Sequence, residues 1–291
     1  MSFSNFVPAS SSALELFRSH PVDIGIESVS HTECRQNGNV SLTPQIDIDF
    51  ESNGRQMIYL DETKLNIRFR VEGKDGAHVN PIVWKNDGVT IETPPTPVSV
   101  VNNAIHSFFE GVEFSINSKT VYSSRAHAFS HKNFLEIMRN LQYEQMSKQD
   151  QMMYLDYPPH FVTNLAIRGG NMGLARRTDE ILHGNSVHCS GPLGLGIART
   201  QTFMPPGTKC KLSLIRASDE YIILSNKPEE ARDFKVIFED IWLDVCLVTV
   251  PQAVYDGMLT TMTKMPAIYL YQETDVKEIS YPANNRLPAE T

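Results

Sequence analysis

The chain has 291 residues, 41% hydrophobic and 21% charged, an ordinary globular composition that excludes a disordered or low-complexity chain. Lys and Arg total 26 against 34 Asp and Glu, a formal net charge of -8, so the surface as a whole does not attract nucleic acid or anionic membrane. The most apolar stretch, Ile241 to Val250, is interrupted by Asp244 and Thr249 and is far shorter than the roughly 20 residues a spanning helix needs.

In chain order, Met1 to Ser12 hold no Lys or Arg and no sustained apolar run, which reads as a Ser-rich arm over residues 1–20 rather than a secretory signal. Ile46, Ile48 and Phe50 then alternate with polar residues, as do Leu65, Ile67, Phe69 and Val71, set between Lys64, Asn66, Arg68 and Arg70. The same period of two returns in Val112, Phe114 and Ile116, in Cys210, Leu212 and Leu214, and in Phe234, Val236 and Phe238. Each run predicts a strand with one buried face, and several together predict antiparallel sheets. Ser52-Asn53-Gly54, Gly73-Lys74-Asp75-Gly76, Asn86-Asp87-Gly88, Asn117-Ser118-Lys119 and Pro205-Pro206-Gly207 supply the turns between them. Pro94, Pro95 and Pro97 make Glu92 to Pro97 an extended connection.

Helical spacing is confined to connections: Ala126 to Leu141, Asn171 to Leu182 and Pro251 to Thr263. With no βαβ rhythm, the expected fold is all-β, an antiparallel jelly-roll sandwich or barrel over residues 21–250 with a few helices in long loops. Residues 251–291 are expected to form a helix and the β-like stretches Ile268 to Tyr271 and Val276 to Tyr281. These lead toward a second jelly roll that is absent or truncated.

The chemistry-bearing residues are scattered. Cys34, Cys189, Cys210 and Cys246 form no C-x-x-C pair, which argues for reduced thiols over a disulfide framework or zinc finger. His127 and His131 stand at i and i+4 and would share a helix face, with Glu136 directed off it; polar helix surface is the ordinary reading, a metal site the sharper one. His183, His188 and Cys189 are close in sequence, but alternation sends His188 outward and Cys189 inward. Arg68 and Arg70, and Arg176 with Arg177, read as solvated faces or salt bridges with neighbouring carboxylates before they read as nucleic-acid contacts. The glycines from Gly191 to Gly196 run in the wrong order for a dinucleotide loop. No catalytic residue, metal ligand or cofactor is expected.

Several stretches carry a resemblance: Ser12-Ala13-Leu14-Glu15-Leu16-Phe17, Ile58-Tyr59-Leu60 with the Leu65 to Val71 strand, and Val101-Asn102-Asn103-Ala104-Ile105-His106-Ser107-Phe108-Phe109 leading into Val112 to Asn117. Gly191-Pro192-Leu193, Phe203-Met204-Pro205-Pro206-Gly207 and Leu212 to Asp219 follow in order. Together they resemble the N-terminal part of the major capsid protein of Maverick/Polinton elements and the related adintoviruses, across nearly the whole chain. The resemblance implies a double jelly-roll lineage in which two fused barrels per subunit form trimers that tile an icosahedral shell. It therefore implies self-association as a homotrimer, contact with neighbouring capsomers and a penton protein, and residence in a virion capsid assembled in the host cytoplasm or nucleus. The acidic balance and the lack of a spanning apolar stretch leave no membrane and no direct nucleic-acid partner expected. Val101, Asn102, Asn103, His106, Ser107 and Phe108 are its most specific residues, expected to act structurally, with His106 packed beside Phe108 and Phe109 and bonded to Asn102 or Asn103. The alternatives are a single jelly-roll, penton-like minor capsid protein, a monomeric β-sandwich that binds carbohydrate or peptide through loops carrying Trp84 and tyrosines, and a metal enzyme built on the histidines.

Overall fold

The computed structural model describes residues 25–36, 38–80, 98–140, 147–154, 171–225 and 232–276. The expected arm at 1–20, Trp84, the Asn86-Asp87-Gly88 turn and the connection at 92–97 lie outside them. The main strands are β1 (Ser28–Arg35), β2 (Gln45–Glu51), β3 (Gln56–Gly73), β4 (Phe109–Ile116), β5 (Lys119–Ser124), β6 (Val187–Pro192), β7 (Lys209–Arg216) and β8 (Phe234–Thr249). They pair antiparallel in two four-stranded sheets, ordered β1-β8-β3-β6 and β2-β7-β4-β5. Thus β1 pairs with β8, β2 with β7, β3 with β6 and β4 with β5, successive pairs alternating between the sheets. A long antiparallel hairpin rolled once around a core has this order, which is the jelly roll. The sheets stay open, with β1, β6, β2 and β5 as edges, so the described strands form a sandwich and no closed barrel.

Alternation sets what faces the core. Ile46, Ile48 and Phe50 from β2 and Leu65, Ile67, Phe69 and Val71 from β3 are buried, as are Val112 and Phe114 from β4 and Cys210, Leu212 and Leu214 from β7. Burying one such Leu, Ile or Phe contributes about 2 kcal/mol. On β8 the register shifts between Phe238 and Asp240, a bulge that switches the inward set from Val236 and Phe238 to Ile241, Leu243 and Val245. A second shift falls between Asp244 and Cys246, where the Thr63 hydroxyl accepts from the Cys246 amide at 3.2 Å. The β4–β5 hairpin turns through Asn117 (φ +49°) and Ser118 (φ +66°), the paired left-handed residues that a two-residue hairpin turn demands.

The connections hold α1 (Ala104–Ser107), α2 (Ala128–Asn140), α3 (Met172–Glu180), α4 (Asp219–Ile222) and α5 (Gln252–Met262). Two short ribbons accompany them, Val98–Val100 with Ile223–Ser225 and Ser147–Lys148 with Met153–Tyr154. The helix expected from Ala126 starts at Ala128, because Ala126 and His127 take φ +53° and +60°, and left-handed residues cannot extend a right-handed helix. Helix α3 opens where expected, on the Asn171 side chain, which accepts from the Leu174 amide at 3.1 Å. The strand expected at Ile268 to Tyr271 is extended chain without a ladder: residues 266–276 pair with no strand among the described residues. Only Tyr269 of those four turns inward; Ile268 and Leu270 face out. Of Val276 to Tyr281, all but Val276 lies outside the described residues.

Candidate functional site

The block that carries the resemblance connects the Val98–Val100 ribbon to β4 through α1, and it is a buried polar knot. Asn103 sits at φ +57°, a conformation Asn tolerates better than most residues, and its carbonyl accepts from the Ser107 amide at 2.9 Å. Asn102 behaves as a strand neighbour made from a side chain. Its Nδ2 donates to the Tyr154 carbonyl at 2.6 Å, and its Oδ1 accepts from the Tyr154 amide at 2.9 Å. Ser107 Oγ donates to the Asn102 carbonyl at 2.7 Å, and Ser130 of α2 donates to Ser107 at 3.2 Å. Asn103, His106, Ser107 and Phe108 are buried, with Val101 and Asn102 half-buried.

His106 fastens α1 to the end of β6, with Nε2 2.9 Å from the Pro192 carbonyl and Nδ1 3.3 Å from Asn103 Oδ1. A neutral ring donating from Nε2 leaves Nδ1 as an acceptor, which the Asn103 amide serves once rotated to present Nδ2, a nitrogen that otherwise has no partner among the described residues. Burial pulls the imidazole down to about 4; the Pro192 carbonyl opposes this, Arg199 and Lys132 add to it, and Glu136 opposes it. The expected bond to Asn103 is present, but the expected aromatic neighbours differ. His106 meets Phe129 edge-to-face at 5.5 Å, whereas Phe108 packs on Phe69 at 4.7 Å and on Phe238 at 6.0 Å, and Phe109 stacks with Phe238. The α1 turn places His106 toward α2 and the two phenylalanines toward the sheets.

Arg177 corrects the expectation of a solvated pair. It is 1% exposed, with Nε donating to the Val100 carbonyl at 2.9 Å and Nη1 to the Tyr154 carbonyl at 3.1 Å. The α3 face that buries Leu174 also buries Arg177, and backbone carbonyls satisfy a guanidinium that has only donors. Tyr154 therefore receives both Asn102 and Arg177, and the knot ties together the 98–108 segment, the 147–154 ribbon, α3, α2 and β6. Its polar groups point at one another and not at solvent. The arrangement sets loop positions.

The candidate histidines belong to no three-ligand metal cluster among the described residues. His127 stacks on Tyr221, ring centroids 3.6 Å apart, and its left-handed backbone lies ahead of α2. The His131 amide bonds the His127 carbonyl at 3.0 Å. His183 is left-handed in the turn after α3. His188 faces outward as expected, stacked on Trp242 at 5.2 Å with Nε2 3.2 Å from Asn66 Oδ1. Its neighbour Cys189 is buried, the thiol pushed up to about 12 by desolvation. Glu136, expected to point away, is nearly buried and pairs with Arg199. No group of three His, Cys, Asp or Glu able to hold a metal occurs among the described residues, and all four cysteines are free thiols. No helix among the described residues is long and apolar enough to cross a membrane.

Three features escaped sequence reasoning. On the outer face of the first sheet, Trp242 is covered by Arg35 at 4.8 Å, Arg68 at 5.6 Å and His188; Arg70 pairs with Glu239 and Glu72, the salt bridges the sequence leads one to expect. The cover comes from three strands in register, which no single stretch reveals. On α2, Lys132 is buried against Glu273, 141 residues away. Finally, α5 buries no residue: Val254, Leu259 and Met262 are exposed, followed by Met265, Ile268, Leu270 and Tyr271.

No protein-family model and no curated protein matches the chain. Solved structures do. The Faustovirus major capsid protein is 9% identical, with a TM-score of 0.49, over 85% of this chain and 58% of that one. A cryo-EM structure of the Sputnik virophage is 12% identical, with a TM-score of 0.46, over 85% and 53%. The mavirus major capsid protein is 11% identical, with a TM-score of 0.37, over 86% and 53%. The chain spans about half the length of these structures. The jelly-roll assignment rests on the strand order of the two sheets.

Proposed function

We propose that the chain is a structural, non-enzymatic subunit of a viral or virus-like-element shell, contributing the first jelly roll of a double jelly-roll major capsid protein related to those of Maverick/Polinton elements and adintoviruses. The observation that carries this reading is a jelly roll that completes its own core and then leaves through an apolar helix that buries nothing. Contiguous exposed apolar surface on a folded domain marks a protein contact. In this reading residues 21–250 are the jelly roll, and residues 251–291 lead toward a further jelly roll that packs beside it. The polar knot serves it by holding long loops rigid for contact with neighbouring subunits. The proposed partners are two further copies in a trimer, adjacent capsomers and a penton protein, and the proposed location is the virion capsid, assembled in the host cytoplasm or nucleus. The role uses no cofactor and no direct nucleic-acid contact. Negative-stain electron microscopy of the purified protein tests it: threefold particles with a pseudo-hexagonal outline, or shells, are expected, and isolated single barrels at every concentration overturn it.

A further inference from the structure

After α5, residues 266–276 cross to the face made by α2 and the loop after β6, and polar groups hold them there. Tyr269, half-buried, donates from Oη to the Phe203 carbonyl at 3.0 Å. Four residues on, Glu273 reaches into the protein. One carboxylate oxygen meets Lys132 Nζ, and the other accepts from the Gly196 amide at 2.9 Å. The Lys132 side chain is 1% exposed, and its ammonium also stands 4.7 Å from the Tyr122 ring centroid. The seat is shaped for a backbone: a Cβ on Gly196 would lie 2.3 Å from the Gln272 carbonyl oxygen and 2.7 Å from Glu273 Oε2. Past the seat, Glu273 to Val276 and the edge strand β5 line an open cavity of about 430 Å³.

The apolar contribution to this attachment is small. Ile268 and Leu270 are 76% and 89% exposed, so Tyr269 is the main apolar anchor and the pairing of half-buried Glu273 with buried Lys132 is the other hold. A buried ammonium that loses its carboxylate is strongly destabilised, whereas an ion pair removed as a unit is not. An extended segment held chiefly through Tyr269 and Glu273, with no ladder to a sheet among the described residues, opens as a unit separate from the sandwich.

We propose that residues 266–276 are a releasable strap, locked by Lys132, Glu273 and the Gly196 amide, and that opening the lock uncovers a carboxylate-binding seat on α2 while the sandwich stays folded. The strap sets the direction in which the chain leaves the jelly roll, and it holds Ile268 and Leu270 in their outward positions. The inference stands on these contacts and does not require the capsid reading.

Limited proteolysis by chymotrypsin, with hydrogen exchange read at β3 and β8, tests it on the full 291-residue chain through three single variants and one double. Glu273→Gln and Lys132→Met each break the lock. Gly196→Ala leaves both charges in place, and since Gly196 has helical φ and ψ of -58° and -42°, its methyl acts only by collision with the strap. In every variant that folds, cleavage after Tyr269, Leu270 and Tyr271 is expected to be at least about tenfold faster, with β3 and β8 amides as protected as in the parent. The double variant Lys132→Met/Glu273→Gln is expected to release the strap and yet to be more stable than Glu273→Gln, because it leaves no lone buried ammonium. Unchanged cleavage at these sites in Glu273→Gln and Gly196→Ala overturns the proposal. So does loss of protection in β3 and β8 together with the strap, which would make it part of the sandwich.

Discussion

Replacing His106 by Gln tests the buried knot through pH. The ring is 1% exposed, and burial holds its pKa at about 4, against about 6.5 in an unfolded chain. The groups facing it are Lys132 and Glu136 from α2 and Arg199. Above pH 6.5 the ring is neutral in both states and has no pH effect. Between 6.5 and 4 the unfolded state takes up a proton that the folded state refuses, so stability falls as the pH falls. At about 1.4 kcal/mol for each pH unit, the loss over that window is about 3 kcal/mol. Gln keeps a donor for the Pro192 carbonyl and does not titrate. Carboxylates contribute equally to both proteins, so the informative quantity is the difference in unfolding free energy between parent and His106→Gln. Urea unfolding followed by circular dichroism at intervals from pH 7.5 to 4 measures it. The parent is expected to lose about 3 kcal/mol relative to the variant on acidification. A difference that stays constant across the range would refute the buried, neutral imidazole.

Asn102→Ala removes both bonds to Tyr154 and is expected to cost about 2–3 kcal/mol, with exchange at residues 147–154 rising more than at β4. Phe108→Ala opens a hole between Phe69 and Phe238; the expected loss is about 3–5 kcal/mol, a fall in Tm on the order of 10 °C by calorimetry. Ser118→Gly relieves a left-handed serine in the β4–β5 turn and is expected to raise stability by up to about 1 kcal/mol, seen as a higher urea midpoint with an unchanged slope.

The strands of the sheet interiors were legible because their cores obey period two: Leu65 to Val71 and Cys210 to Leu214 alternate, and the same residues are buried. Edges were harder. Of the β1 side chains only Cys34 is half-buried and the rest are exposed, so no apolar pattern marks that strand, and the bulge on β8 hides its alternation inside an apolar run. Pairing order is not a property of any one segment: short strands with long decorated loops point to a jelly roll, and only the two sheet orders supply its pairing. At the site, the 101–108 block was picked out by resemblance and not by chemistry, because its role lies in Tyr154 and Pro192, 52 and 86 residues from the groups that bind them. Arg177 and Lys132 look like surface charges in sequence. Their burial depends on carbonyls at 100 and 154 and on a carboxylate at 273, contacts made only when distant segments meet.

The central claim, that this jelly roll is a shell subunit, is tested most directly by its mass in solution. Size exclusion with light scattering across protein concentration and salt is expected to give a trimer or a discrete larger particle whose population grows with concentration. A monomer at every concentration and salt would contradict it.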